Sequence, residues 1–255
     1  MGLAKGLSEI AVRVPDLTEG VRFYCEGLGL TLSSMEPPCA RIMTPDGLAL
    51  LLAESGEERT EAASGGLTHV CYLAWDADRA FARALAFGAV PTRAPAPYTW
   101  DNMRMAFVRS PSGEEIEFRG IRNPDGSFGG PVKDHKHIQQ VMHVAVTVPD
   151  MPSAISFYEA LGAVPKEDWG WGFVMCLPDR RELELFVDGA FVGESGNYDH
   201  FTFAAAHPER AHSGMIIAGG MPDGAGMGIG PAGERIAFSP AAARPRGPKL
   251  LPDLS

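Results

Sequence analysis

Residues 142–164, MHVAVTVPDMPSAISFYEALGAV, decide the fold. The first seven alternate so that one face is apolar, the pattern of a strand with one buried side. Asp150, behind Pro149, stands where a helix N-cap belongs. Ile155, Phe157, Tyr158 and Leu161 then form an apolar helical stripe, and Gly162 ends it as a C-cap. Strand and helix follow each other within 23 residues, and the same phrase recurs along the chain.

Three further segments share this opening. They are SEIAVRVPDLTEGVRFYCEGLGL from Ser8, THVCYLAWDADRAFARALAFGAV from Thr68 and, more weakly, DHFTFAAAHPERAHSGMIIAGGM from Asp199. The first repeats the helix stripe with Val21, Tyr24 and Leu28 ahead of Gly29. Each copy also closes alike, with a turn and a last strand: TPDGLALLLA, SPSGEEIEFR, LPDRRELELF and GPAGERIAFS. Two short strands fit between opening and close, as in CARIMT, MRMAFVR and GFVMCL. The unit is β-α-β-β-β, present four times, which makes the chain α+β. The first and third openings are the closest pair, so a two-unit ancestor was duplicated.

The expected organisation is one domain of two units over residues 1–122 and a second over 139–239. The polar, Gly- and Pro-rich residues 123–138 read as a linker. Residues 240–255, rich in Pro, Ala and Arg, read as a loose tail. At 255 residues two domains of ordinary size fit. A formal charge of −10 argues against nucleic-acid and anionic-membrane partners, which need a basic surface. No run of about 18 apolar residues suggests a membrane span, and the N-terminus has no secretion signal. Cys25, Cys39, Cys71 and Cys176 are scattered without a CxxC pair and read as reduced thiols, which places the protein in the cytoplasm.

Aligning the copies singles out two positions. The opening strands carry Glu9, His69, His143 and His200 in register, and the closing strands carry Leu51, Glu117, Glu184 and Ala237. Three His and two Glu thus recur at equivalent places inside apolar strands, where a polar side chain needs a partner. A shared divalent metal supplies one. A lone strand His is more often a hydrogen-bonded core residue, and a strand Glu more often faces water; repetition at matched positions favours the metal. Cys71, two residues beyond His69 on the same face, reads as core. His135, His137, His207 and His212 are expected to be solvent-exposed.

The repeats, with the motifs MHVAVTVPD and SPSGEEIEF, resemble the vicinal oxygen chelate superfamily over about residues 7–238. That superfamily includes glyoxalase I, extradiol dioxygenases, fosfomycin-resistance proteins and methylmalonyl-CoA epimerase. The resemblance implies glyoxalase-like domains whose cupped mixed sheets hold a divalent metal that chelates vicinal oxygens of a small-molecule substrate. It also implies sheet edges of the kind that build homodimers. The ligands would come from the eight positions just named. Sequential pairing of units, usual in four-unit members, would offer His143, Glu184 and His200 as first choice and Glu9, His69 and Glu117 as second. Pairing of the second and third units would instead unite His69, Glu117, His143 and Glu184, a set like that of bacterial-type glyoxalase I.

By this resemblance the chain is a metal-dependent enzyme, with an extradiol-type ring-cleaving dioxygenase acting on a catechol-like compound ahead. Fe(II) is the favoured metal, and Mn(II), Ni(II) and Zn(II) are alternatives. His207 or Tyr198 are candidates to assist proton transfer in that reaction. A glyoxalase-like lyase or isomerase is the second reading, with Glu117 or Glu184 as its catalytic base. A metal-free protein that binds or sequesters a small molecule is the third. Tyr98, Trp100, Trp169 and Trp171 are the candidate pocket-lining residues in each case.

Overall fold

The computed structural model describes residues 2–55, 66–98, 103–121, 136–187, 197–224 and 226–241. Four βαβββ units appear in order. The first is β1 (Gly6–Val14), α1 (Leu17–Arg22), β2 (Thr31–Glu36), β3 (Cys39–Met43) and β4 (Ala49–Glu54). A π-helical turn, Phe23–Gly27, extends α1. The second is β5 (Leu67–Ala74), α2 (Ala77–Ala86), β6 (Val90–Tyr98), β7 (Met103–Arg109) and β8 (Glu115–Ile121). The third is β9 (Ile138–Val148), α3 (Met151–Leu161), β10 (Val164–Asp168), β11 (Gly172–Cys176) and β12 (Glu182–Val187). The fourth is β13 (Tyr198–Ala205), α4 (Pro208–Ile217), β14 (Met221–Pro222), β15 (Gly228–Ile229) and β16 (Arg235–Pro240).

The helix starts follow the sequence. Asp16, Asp76 and Asp150 each accept a hydrogen bond from a first-turn backbone N–H, satisfying a donor the helix leaves open. The fourth unit has His207 at this place and makes no such side-chain bond, which is why its opening is the least recognisable. Gly162 closes α3 at φ +113°, a conformation a side chain would strain.

Strand pairing departs from the sequential arrangement. One sheet runs β14-β15-β16-β13-β1-β4-β3-β2, and the other runs β10-β11-β12-β9-β5-β8-β7-β6. The first unit therefore shares a sheet with the fourth, and the second with the third. Inside each unit the opening strand runs parallel to the closing strand, as β5 does to β8. Two opening strands then join antiparallel at the middle of each sheet, β1 with β13 and β5 with β9. All four opening strands have similar apolar alternation, so the pattern alone does not say which will pair. The proposed linker lies mostly outside the described residues, since 122–135 are not among them, and so does the tail from 242.

One face of each sheet feeds the common core. Ile10, Val12, Leu50, Leu52, Phe201 and Phe203 line one sheet, and Val70, Ile116, Phe118, Val144, Leu183 and Leu185 line the other; all are essentially inaccessible to solvent. Consecutive units meet on the helix side, where α3 packs on α4 and α2 on the π turn after α1. Two buried hydrogen bonds recur there. The Tyr24 hydroxyl donates to Glu114, and the Tyr158 hydroxyl donates to Glu234. Both tyrosines come from the Phe-Tyr step of a helix, and both glutamates from the fifth residue of a closing segment. Each pair joins a unit of one sheet to a unit of the other, tying the two layers together at matched points.

Burial raises the Glu234 carboxyl to about 7 against an ordinary 4.5, although the Tyr158 hydroxyl and the Ala232 N–H both favour its charged form. The folded chain therefore keeps a proton that the unfolded chain releases between those two values. Stability falls as pH rises through this window, by an amount on the order of 2 kcal/mol. Urea denaturation at pH 5 and pH 7.5 measures the fall, and the Glu234→Gln variant is expected to show a smaller difference between the two pH values.

Candidate metal centre

The antiparallel register of β5 on β9 sets Cys71 opposite His143 and His69 opposite Ala145. The parallel register of β5 on β8 sets Cys71 opposite Glu117, and that of β12 on β9 sets Glu184 opposite Ala145. His69, Glu117, His143 and Glu184 consequently rise from four neighbouring strands into one cup. The sheet that carries them is the one built from the second and third units. All four are buried, His143 completely.

Three donor atoms form a nearly equilateral triangle. His69 Nε2 lies 3.2 Å from His143 Nε2 and 3.3 Å from Glu117 Oε2, and His143 Nε2 lies 3.0 Å from the same oxygen. Ligands at about 2.1 Å from a metal are spaced about 3.0 Å apart at right angles and about 3.4 Å apart in a tetrahedron. The triangle has those edges. A second cluster, His143 with Glu182 and Glu184, lies on the Nδ1 side of the same ring. There Lys166 already pairs with Glu182 and Arg119 with Glu184.

The outer nitrogens indicate which way the imidazoles face. Thr68 Oγ1 donates to the Ala145 carbonyl and stands 3.2 Å from His69 Nδ1, so it is placed to accept from that nitrogen. His143 Nδ1 lies 3.2 Å from Glu184 Oε1, at an angle short of a hydrogen bond. Assigned from these neighbours, the protons belong on Nδ1 in both rings, which leaves both Nε2 atoms as lone pairs. Two lone pairs and a carboxylate oxygen then face one another with no proton among them. A cation satisfies all three at once. Burial, with Arg119 nearby, pushes the His143 imidazole down to about 3, so it stays in its neutral, ligating form.

Arg119 is the residue that sequence reasoning passed over. Its Nε donates to Glu117 Oε1 at 2.7 Å, and its Nη2 reaches Glu184 Oε1 at 3.4 Å. Its guanidinium carbon lies 5.2 Å from the centre of the Tyr98 ring. Burial alone would raise the Glu117 carboxyl, but the Arg119 guanidinium holds it well below the usual carboxylate range. Glu117 thus divides its oxygens, one toward the guanidinium and one toward the histidines. The signal was present: Arg119 follows Glu117 by two residues on a strand and must share its face.

Aromatic rings close the cup. The His69 ring meets Phe107 edge-on at 5.5 Å, with Phe186 at 6.3 Å. Trp171 stacks on Phe186 at 5.7 Å, and Trp169 lies 6.4 Å from it. Of the four expected pocket residues, Tyr98 lies against Arg119, Trp169 and Trp171 lie against Phe186, and Trp100 lies outside the described residues.

The other expected ligands are in the other sheet. Glu9 pairs with Arg41, and His200 Nδ1 bonds Asp199, which Arg13 and Arg235 also hold. Neither expected triad, His143 with Glu184 and His200 or Glu9 with His69 and Glu117, is brought together, because each draws on both sheets. Tyr198 is buried with its hydroxyl donating to the Glu115 carbonyl, and His207 is exposed at the start of α4. His137, expected in solvent, is buried. The four cysteines are free thiols, and Cys71 is inaccessible, with its thiol pushed up by burial.

Removing Glu117 leaves Arg119 buried without its closest counter-charge. Glu117→Leu is therefore expected to destabilise the metal-free protein by about 3–5 kcal/mol, read from urea denaturation in the presence of a chelator.

The profile of the family described as Glyoxalase/Bleomycin resistance protein/Dioxygenase superfamily matches residues 6–118. No curated protein matches the chain in sequence. Among solved structures, glyoxalase I from Zea mays is similar at 18% identity and a TM-score of 0.66, covering 92% of each chain. A putative dioxygenase from Bacillus subtilis subsp. subtilis str. 168 is similar at 14% identity and a TM-score of 0.70, covering 95% of this chain and 87% of its own. At such identities the likeness is one of fold, and it extends through all four units. The family profile thus matches the first two units, and the fold shared with these two structures extends through the last two as well.

Proposed function

We propose that the chain is a metal-dependent enzyme whose ion is held by His69, Glu117 and His143. The observation that carries this reading is the triangle of three buried acceptor atoms 3.0–3.3 Å apart. Two imidazoles and one carboxylate suit Fe(II) with open positions, the composition used by oxygenases. Fe(II) bound there would supply a Lewis acid and a meeting point for a chelating substrate and O₂. Ring-cleaving dioxygenation of a small catechol-like compound is the reaction this favours.

The chain's own residues divide the remaining work. Glu184 and Thr68 orient the two imidazoles from their outer nitrogens. Phe107, Phe186 and Trp171 offer flat apolar walls to an aromatic ring and keep water from the donor atoms. Trp171, 40% exposed, is the solvent end of that wall.

A second reading draws on Glu184. A buried carboxylate 3.2 Å from His143 is placed to move a proton in a glyoxalase-like isomerase, with Ni(II) or Zn(II) in the same triangle.

Metal analysis of gently purified protein is expected to give about one Fe per chain, lost in His143→Ala and retained in His200→Ala. Anaerobic loading with Fe(II), then air and a panel of catechols, should yield a yellow ring-fission product. Turnover of a thiohemiacetal with Ni(II) or Zn(II), and of no catechol with Fe(II), transfers the assignment to the isomerase. Absence of metal after reloading, with tight binding of an aromatic compound, leaves a binding protein instead.

A further inference from the structure

Arg119 stands where a four-ligand centre would have no use for it. Its guanidinium joins Glu117 Oε1 to Glu184 Oε1, and it is only 6% exposed. Glu117 still presents its second oxygen to the two histidines. Glu184 does not, and groups with His143 Nδ1 and Glu182 on the far side of the ring. The two glutamates occupy matched positions of matched strands, so the units' symmetry alone would send both to the ion. Arg119 breaks that symmetry. It has no basic counterpart in the third unit, where Phe186 occupies the equivalent place.

Resting on the metal-centre reading above, we propose that Arg119 is a positioning residue that sets the ligand count. It holds Glu184 out of the coordination shell and keeps Glu117 bound through one oxygen, so the protein offers three ligands and leaves open positions for substrate. Its charge acts in the same direction. Two carboxylates, one guanidinium and a divalent ion leave one positive charge in a closed, apolar-walled site, which a monoanionic chelating substrate neutralises. Without Arg119 the two carboxylates balance the ion by themselves. Glu184 is then drawn in as a fourth ligand, and the call for an anionic substrate disappears.

Co(II) is the probe, because its visible absorption weakens sharply as coordination number rises, and its affinity is read by competition with a chelating dye. Arg119→Met is expected to bind Co(II) at least tenfold more tightly than the wild type, with weaker visible bands. Adding Glu184→Gln to that variant should reverse both changes, and Arg119→Lys should behave like the wild type. Glu184→Gln alone, which keeps Arg119 and does not depend on the folding of its variants, should leave the Co(II) bands unchanged. Equal affinity and spectrum in Arg119→Met, or a changed spectrum in Glu184→Gln alone, overturns the assignment of Arg119. Failure of the wild type to bind Co(II) in a His143-dependent way overturns the metal-centre reading itself, so the two failures are separable.

Discussion

The antiparallel join of β5 to β9 is the contact on which the site depends. It carries His69 and His143 from two different units to within 3.2 Å of each other, and no single unit can do this alone. A register slip of one residue would turn every inward side chain of one strand to the other face. The apolar partners Val70 and Val144 guard against that slip, since they are paired in the same ladder and buried on the opposite face. The polar cup is thus specified by the hydrophobic layer behind it.

Around that join the charges are arranged to be affordable in a closed space. Each buried group has a named neighbour: Glu117 has Arg119 and two imidazoles, Glu184 has Arg119 and His143, and Arg119 has the two carboxylates and the Tyr98 ring. The matching sheet of the first and fourth units spends its polar positions differently. Its Glu9 and His200 are absorbed into ion pairs with Arg41 and Asp199, and Leu51 and Ala237 stand where the carboxylates would be. One fold therefore supports a candidate centre in one sheet and a half-buried ion-pair network in the other.

Much of this was legible in the residues. The Asp caps, the apolar stripes and the Pro-x turns give four units and their element order, and the matched His and Glu positions give the candidate ligands. Which units share a sheet was not legible, because the opening strands have similar alternation and any two satisfy the same pairing rule. The hint lay in the two matched positions: only the second and third units carry a His at the first and a Glu at the second, and they are the two that meet. Arg119 was overlooked because the repeat alignment weighs positions common to the units, and this residue belongs to one. His137 escaped because a Gly- and Pro-rich neighbourhood suggests solvent, whereas it sits against the start of β9 and its carbonyl accepts from Trp75.

The pairing of the first unit with the fourth has a consequence for how the chain comes to exist. Ser8 bonds the backbone of Thr202, a partner 194 residues later. On the ribosome, at about 5–20 residues per second, β1 waits on the order of 10–40 s for β13 to be made. During that time its long edge lies open, as a sheet of one unit with half its ladder unfilled. The second and third units are consecutive in the chain, so all strands of their sheet are made before the fourth unit emerges. The layer holding the candidate centre can thus serve as the nascent scaffold, and the layer built from the first and fourth units is the one that closes last.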